Sequence, residues 1–225
     1  MVAIEISKII RSRRRTITLQ VCRDAALVVR APFNTGDDYI RRLVEQKRAW
    51  ISGKQALINR QRQSIKPKAF TDGEEFLYLG GAYKLYLTDD RKPPLSLMDA
   101  FYLSKDCRPG ARQLFLEWYK KQAKNKVTER VNLYSTQAGL KPNKIKITNA
   151  QKRWGSCSRD GNLSFSWRLI MAPLPVIDYV VAHEVAHLEH HNHSRRFWNK
   201  VAVLSPHYKQ HRKWLRANDH LLSLQ

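Results

Sequence analysis

The chain has 225 residues, and its 43% apolar and 27% charged residues are typical of a globular protein with a buried core. Its 41 Lys and Arg against 19 Asp and Glu give a net charge of +22, which favours weak, non-specific binding of nucleic acid. Three widely spaced cysteines exclude a disulfide framework and a C-x-x-C zinc site, and favour a reducing compartment. The sequence has neither an apolar run of membrane-spanning length nor a signal-peptide pattern, which predicts a cytoplasmic protein without membrane association.

The first half of the sequence predicts mainly strands. In chain order, the predicted elements are strands at residues 2–6, 15–21 and 27–30, a helix beginning at residue 37, a basic loop over 60–68, and strands at 75–79, 82–87 and 95–103. Gly80-Gly81 separates two of these strands and predicts a β-hairpin.

The second half predicts mainly helices. Its elements are a long helix over residues 109–139, a strand at 144–148, a hairpin formed by 151–157 and 163–167, a helix over 176–190, and two more helices on either side of Pro206. Gly139 suits the end of the long helix, and Ser194 suits an N-cap. The patterns predict an α+β fold with a β-rich N-terminal region at 1–107 and a helical catalytic region at 108–225, unless both form one continuous domain.

The placement of histidine is the most informative feature of the composition. All eight histidines lie between His183 and His220. Residues 183–187 read His-Glu-Val-Ala-His, an H-E-x-x-H motif inside a predicted helix, so both imidazoles can reach one metal ion from one helix face. Glu184 is then placed to take a proton from a water that the metal activates. The motif therefore predicts a metal-dependent hydrolase with Glu184 as general base.

A third metal ligand is expected beyond the end of this helix. A catalytic zinc takes three protein ligands and keeps a fourth position open. His193 lies six residues after His187, and a turn of the chain would bring it to the same ion. This spacing is that of metzincins, although His190 stands where those proteins carry a glycine. The predicted metal is zinc, with another divalent ion as an alternative. His190 and His191 could each be a fourth ligand, a substrate contact or a solvated side chain.

Other polar residues near the motif are candidates for substrate contacts. Arg153 could bind a phosphate or an oxyanion, or pair with a carboxylate; Trp154 could stack on a base or fill the core. Tyr208 and Arg212 are placed near the site by the last predicted helix. Asp178 lies one helical turn before His183, where it could orient that ligand or serve as an acid near the helix N-terminus.

Several segments together resemble one family. They are Gln-Lys-Arg-Trp-Gly-Ser-Cys-Ser at 151–158, Trp-Arg-Leu-Ile at 167–170, Ile-Asp-Tyr-Val-Val at 177–181, Asn-His-Ser at 192–194, Phe-Trp at 197–198, Asp-Gly-Glu at 72–74 and Tyr-Leu-Gly at 78–80. With the motif at 183–187, they resemble the YgjP-like family of metal-dependent hydrolases, which is related to SprT-like zincin metallopeptidases. The resemblance implies a zincin-like, minimal gluzincin core in which an antiparallel sheet packs on the H-E-x-x-H helix. It also implies metal ligation by His183, His187 and His193, with Glu184 catalytic.

The resemblance leaves the substrate open between a peptide and a nucleotide. The related fold favours a zinc-dependent peptidase in which an activated water attacks a peptide bond. The alternative is a metal-dependent UTP pyrophosphatase using the same site, because YgjP-like proteins are also described with that activity. A non-catalytic, basic nucleic-acid-binding protein with a structural zinc is disfavoured, since such a site normally fills all four ligand positions.

Overall fold

The computed structural model describes residues 4–22, 24–64, 67–89 and 92–224. It gives a mixed α+β fold that divides into two compact units, Met1–Lys66 and Pro67–Gln225. Within the described ranges, no helix combines the length and the apolar character needed to cross a membrane.

The N-terminal unit is a three-stranded sheet with two helices. Its elements are β1 (Lys8–Ser12), β2 (Thr18–Val21), β3 (Leu27–Pro32), α1 (Asp37–Gln46) and α2 (Arg48–Ser64). The strand order is β1-β3-β2, with β3 parallel to β1 and antiparallel to β2. The buried side chains of this unit come from β3 and the two helices: Leu27, Val29, Ala31, Ile40, Val44 and Ile51.

Two predicted elements of this unit differ from the structure. The strand expected at 2–6 is displaced: residues 2 and 3 lie outside the described residues, and the ladder with β3 begins at Lys8. The alternating apolar pattern at 4–6 is explained by packing: Ile4 and Ile6 contact the core without joining the sheet. The start of the predicted loop at 60–68 is helical, since α2 continues to Ser64 through good helix formers; residues 65 and 66 lie outside the described part.

The C-terminal unit contains two sheets and four α-helices among its described residues. Its elements are β4 (Glu75–Tyr78), β5 (Gly81–Thr88), β6 (Leu95–Leu97), β7 (Phe101–Ser104), α3 (Ala111–Ala138), β8 (Lys144–Thr148), β9 (Gly155–Cys157), β10 (Asn162–Ser166), α4 (Leu174–Ala186), α5 (Arg195–Leu204) and α6 (Tyr208–Asn218). The strand orders are β4-β5-β7-β6 and β8-β10-β9. Both predicted hairpins are confirmed, as is the cap of α3 by Gly139, which has a left-handed φ of 66°.

The division between the units falls at residue 66, whereas the sequence placed a boundary near residue 107. The strands β4 to β7 have no core apart from α3 and therefore belong to the C-terminal unit. Phe76 of β4 stacks on Phe115 of α3 at 4.2 Å between ring centroids, and Tyr119 of α3 donates a hydrogen bond to the Leu77 carbonyl at 2.7 Å. At the hairpin tip, the Gly80 amide donates to the Met171 carbonyl at 3.1 Å, just before α4.

The sheet that accompanies α4 is mixed, which corrects the expectation of an antiparallel sheet. β9 and β10 form an antiparallel hairpin, but β8 pairs with β10 in parallel. The connection over residues 149–154 crosses the end of β10, so β8 and β9 run in opposite directions without being neighbours. As a result β9 is an edge strand of this sheet.

Candidate metal centre

Two of the candidate ligands lie on α4, a helix that is largely buried. Pro173 and Pro175 mark its start, and His187 is its C-terminal cap. The helix begins two residues earlier than predicted and ends four residues earlier, because the chain turns after Ala186 instead of continuing to His190. His183 and Glu184 lie in its last turn, where the helix is packed on both sides by the core.

A tight turn returns the chain and presents His193. The Asn192 side-chain oxygen accepts a hydrogen bond from the Ser194 amide at 3.3 Å, so the two residues flanking His193 are tied together. Ser194 then caps α5, as predicted, because its hydroxyl accepts from the Phe197 amide at 3.4 Å. The turn thus needs no glycine at position 190.

The three imidazoles converge on one point. The Nε2 atoms of His183 and His193 are 3.2 Å apart, and one ring nitrogen of each of the three histidines lies within 4.8 Å of the others. Two nitrogens bound tetrahedrally to one zinc at ordinary bond lengths are about 3.3 Å apart. Among the His, Cys, Asp and Glu side chains of the described residues, these three histidines lie close enough together to hold a metal. The donor set and its spacing therefore fit a zinc ion.

Phe197 packs against all three rings. It is fully buried and stacks on His187 at 4.4 Å between centroids, while its ring meets those of His183 and His193 edge to face at 4.9 Å each. Trp198 stacks on the outer face of His193 at 5.7 Å. The imidazoles are consequently held in place by aromatic packing as well as by the backbone.

Hydrogen bonding selects the tautomer of His187. Its Nδ1 lies 2.9 Å from the His190 carbonyl, which can only accept, so Nδ1 carries the proton. The lone pair is then on Nε2, the atom required for a metal ligand. His190 thus acts on the site through its backbone carbonyl, which orients His187. Its side-chain Nε2 lies 3.5 Å from Oε1 of Glu189. The His191 side chain is exposed.

The environment keeps His183 and His187 neutral. Burial lowers the pKa of His183 to about 3, with further lowering from His187, His193 and Arg212. Burial also lowers the pKa of His187. A histidine must be deprotonated to bind a metal, so these two ligands are in their metal-binding form at neutral pH.

Asp178 is engaged away from the ligand it was expected to orient. Its two carboxylate oxygens accept hydrogen bonds from Arg130 of α3, at 2.5 Å from Nε and 2.9 Å from Nη2. Within the described residues, the buried Nδ1 of His183 has no hydrogen-bond partner. Asp178 therefore joins α4 to α3, and the pair raises the pKa of Arg130.

Glu184 is a buried carboxyl group beside the triad. It is 5% exposed, and burial raises its pKa to about 8, opposed by the positive charge of Arg153. It fits because position 155 of β9 is glycine: a Cβ there would lie 2.5 Å from the Glu184 Cγ and Oε1 atoms. The backbone of β9 and the acid of α4 are thus in close contact.

A small pocket opens beside these groups. Its volume is about 160 Å³, and it is lined by Trp154, Gly155, Tyr179, Val180, His183, Glu184 and Leu215. Trp154 is half-buried there, while Arg153 is exposed. A larger, open depression of about 420 Å³ near the end of α3 is lined by none of the predicted site residues.

The last helix brings two more predicted residues near the triad. Tyr208 stacks on Trp198 at 5.4 Å, and Trp198 in turn stacks on His193. The Arg212 guanidinium lies over the Trp198 ring at 5.0 Å, and its charge acts on His183.

Sequence reasoning missed three contributors to this geometry. Gly155 was noted only as part of a segment, although a glycine inside a strand signals close backbone approach. Phe197 was noted only as part of another segment, and no sequence signal marks its contact with all three ligands. Asn192 was recognisable, because asparagine two residues before an N-cap is typical of side-chain-to-backbone turns.

Comparison with known proteins gives a family. A family model described as YgjP-like, metallopeptidase domain, matches residues 15–218. Among solved structures, the metallopeptidase zymogen of Pyrococcus abyssi abylysin is similar at 18% identity and a TM-score of 0.37, over 40% of this chain and 92% of that chain. A search of curated proteins gives no match. A metallopeptidase domain implies a metal-dependent hydrolase that uses a divalent metal, and the histidine triad could bind one. Because the matched span covers most of its length, the chain belongs to the YgjP-like metallopeptidase family, as the sequence resemblance predicted.

Proposed function

We propose that the protein is a zinc-dependent peptidase with a zincin-like core, in which His183, His187 and His193 hold the metal and Glu184 is the general base. One observation carries the proposal: a buried carboxyl group lies beside three converging imidazoles at the wall of a pocket. A site that served only structure would have no use for this carboxyl group, whose burial is costly.

Zinc held there would supply Lewis-acid activation of water and of the substrate carbonyl at neutral pH. The protein's own residues transfer the proton and orient the ligands. Glu184 accepts the proton of the attacking water at a carboxylate oxygen and returns it to the leaving nitrogen. Burial raises its pKa to about 8 in the metal-free protein, and the positive charge of bound zinc would lower that pKa and favour the carboxylate form that takes the proton. His187 stays oriented through its hydrogen bond to the His190 carbonyl.

The substrate would be an extended peptide lying along β9. This strand lies at an edge of its sheet, so a peptide can pair with its outer side by main-chain hydrogen bonds. Gly155 begins β9 and lines the pocket beside Glu184, which brings that edge to the reacting groups. The pocket, at about 160 Å³, has room for one side chain and is smaller than the roughly 300–1,000 Å³ of ordinary ligand sites.

A nucleotide substrate is the second candidate, and one observation favours it. Two arginines act on the proposed catalytic groups: the charge of Arg153 lowers the pKa of Glu184, and that of Arg212 lowers the pKa of His183. Guanidinium groups at such positions could bind the phosphates of UTP, and Trp154, which lines the pocket, offers an aromatic face for the base.

The deciding experiment compares both reactions in one preparation. Zinc-loaded protein is assayed for cleavage of a mixture of quenched fluorescent peptides and, separately, for pyrophosphate release from UTP. Peptide cleavage by the wild type that is lost in Glu184→Gln, with zinc retained on elemental analysis, is the expected result. Glu117→Gln, an exposed carboxylate of α3, is the matched control and keeps full activity.

The outcomes separate the candidates. Pyrophosphate release without peptide cleavage, abolished by Glu184→Gln, would replace the peptidase by the pyrophosphatase. Activity that survives in Glu184→Gln would remove this residue from the chemistry, whichever substrate is used.

A further inference from the structure

The sheet of the N-terminal unit has one face that its own helices do not cover. Along β3, Leu27, Val29 and Ala31 are buried in the core, so the alternate side chains point away from it. The strand register extends this outer face across the sheet to residues that pair with Val28 and Arg30. We define the open face by its exposed side chains, Lys8, Thr18, Gln20 and Arg30.

The open face and the end of its sheet are strongly basic. The residues of 8–33 that the structure describes include six Lys and Arg against one Asp. Arg13, Arg14 and Arg15 connect β1 to β2, and the register places them at the end where β3 finishes, because Ser12 pairs with Pro32. Arg13 and Arg15 are exposed at this end.

An exposed aromatic ring lies at the same end. Phe33 directly follows β3 and is 59% exposed. Its turn is fixed by Arg11, whose Nη1 donates hydrogen bonds to the carbonyls of Phe33, at 3.2 Å, and Thr35. Arg11 also pairs with Asp37, the first residue of α1. The Arg11 side chain thus fixes the turn by hydrogen bonds, and it also neutralises the neighbouring Asp37 carboxylate.

We propose that this surface binds single-stranded nucleic acid. A base stacks on Phe33, Arg13 and Arg15 contact the adjacent phosphates, and the strand continues over the open face. Aromatic stacking beside a basic track is how single strands are bound with little sequence preference. Thr18 and Gln20, on the edge strand β2 of this face, provide hydrogen bonds to bases or sugars.

The positive charge of this surface fits an anionic occupant, and the exposed Phe33 ring decides for a single strand over two other anionic candidates. A duplex presents phosphates but keeps its bases stacked, so it leaves Phe33 without a partner. A membrane surface would need more apolar area than one aromatic ring beside a polar face. The inference is independent of the proposed peptidase, because every residue that carries it lies in the N-terminal unit.

The test measures fluorescence anisotropy of a labelled 20-nucleotide oligo(dT) with the full-length protein over a range of salt concentrations. Phe33→Leu keeps an apolar side chain but removes the stacking ring, and is expected to weaken binding roughly ten-fold. Arg13→Ala/Arg15→Ala is expected to weaken binding and to reduce the slope of log affinity against log salt by about 1.4. Since the replaced side chains are exposed, unchanged circular dichroism and Tm are expected for each variant.

The matched control removes the same charge elsewhere. Lys120→Ala/Lys121→Ala changes two exposed lysines of α3 in the other unit, and leaves oligo(dT) affinity within about two-fold of the wild type. Equal weakening by the two double variants would show general attraction to a protein of +22 charge and overturn the proposal. Unchanged affinity of Phe33→Leu would also overturn it. So would tighter binding to phosphatidylserine vesicles than to oligo(dT).

Discussion

Replacing Gly155 by alanine tests the contact between β9 and the proposed base. The added Cβ would lie 2.5 Å from the Glu184 Cγ and Oε1 atoms, whereas ordinary contacts begin at 3.4 Å. Strand and acid must therefore separate by about 0.9 Å within a buried site. Overpacking of this kind costs about 1–3 kcal/mol.

The cost should vanish when the acid is removed. Gly155 does not have a positive φ, so alanine fits its backbone and is expected to stabilise the strand by about 0.5–1 kcal/mol once the clash is gone. In a double-mutant cycle with Glu184→Ala, the coupling energy is then about 2 kcal/mol or more. It is measured by urea unfolding of the four metal-free proteins.

A control cycle pairs Gly155→Ala with Glu117→Ala, which should be additive because Glu117 is exposed on α3. Additivity within about 0.5 kcal/mol in the Glu184 cycle as well would refute the close approach. In the zinc-loaded enzyme, Gly155→Ala should lower kcat while metal content stays that of the wild type, since no histidine is displaced.

Two further predictions concern the charge and the metal. In the metal-free protein, burial holds the pKa of Glu184 at about 8 against its ordinary 4.5, so the unfolded chain ionises first and stability falls as the pH rises from 4.5 to 8. Glu184→Gln removes this effect and should gain roughly 2 kcal/mol more over the wild type at pH 7 than at pH 5, by urea unfolding in EDTA; an equal gain at both pH values would contradict the burial. His193→Ala should weaken zinc binding well beyond the roughly 10- to 100-fold lost when an outer partner of a ligand is removed, whereas exposed His191→Ala keeps zinc on elemental analysis. Full zinc occupancy in His193→Ala would place the third ligand elsewhere.

Elements with strong local signals were predictable. Gly139 ends α3 and Ser194 begins α5 because each requirement is local: a left-handed backbone in one case and a capping oxygen in the other. The first hairpin was also predicted, but its turn is Leu79-Gly80, since Tyr78 pairs with Gly81. With two adjacent glycines, the sequence does not determine which pair of residues forms the turn, so the predicted register was one residue off.

Features that depend on packing between distant segments were not predictable. Asp178 stands near His183 along the chain, yet it pairs with Arg130, 48 residues away, because α3 passes beside α4. The boundary at residue 66 similarly reflects contacts of the β4–β5 hairpin with α3 and with the turn before α4. By contrast, the convergence of His193 on the other two histidines was suggested by spacing, and the Asn192 turn that achieves it is local and was recognisable.

The contact of Phe197 with all three imidazoles has a consequence for which ions the site accepts. The rings lose their rotational freedom when the chain folds, so an arriving ion does not have to order them. Each side chain that a ligand must immobilise costs about 0.5–1.5 kcal/mol, and this entropy is already lost before the metal binds. A fixed set of nitrogens favours an ion that accepts short bonds and tetrahedral angles, as zinc does. It disfavours calcium, which needs a larger, adaptable shell of oxygens.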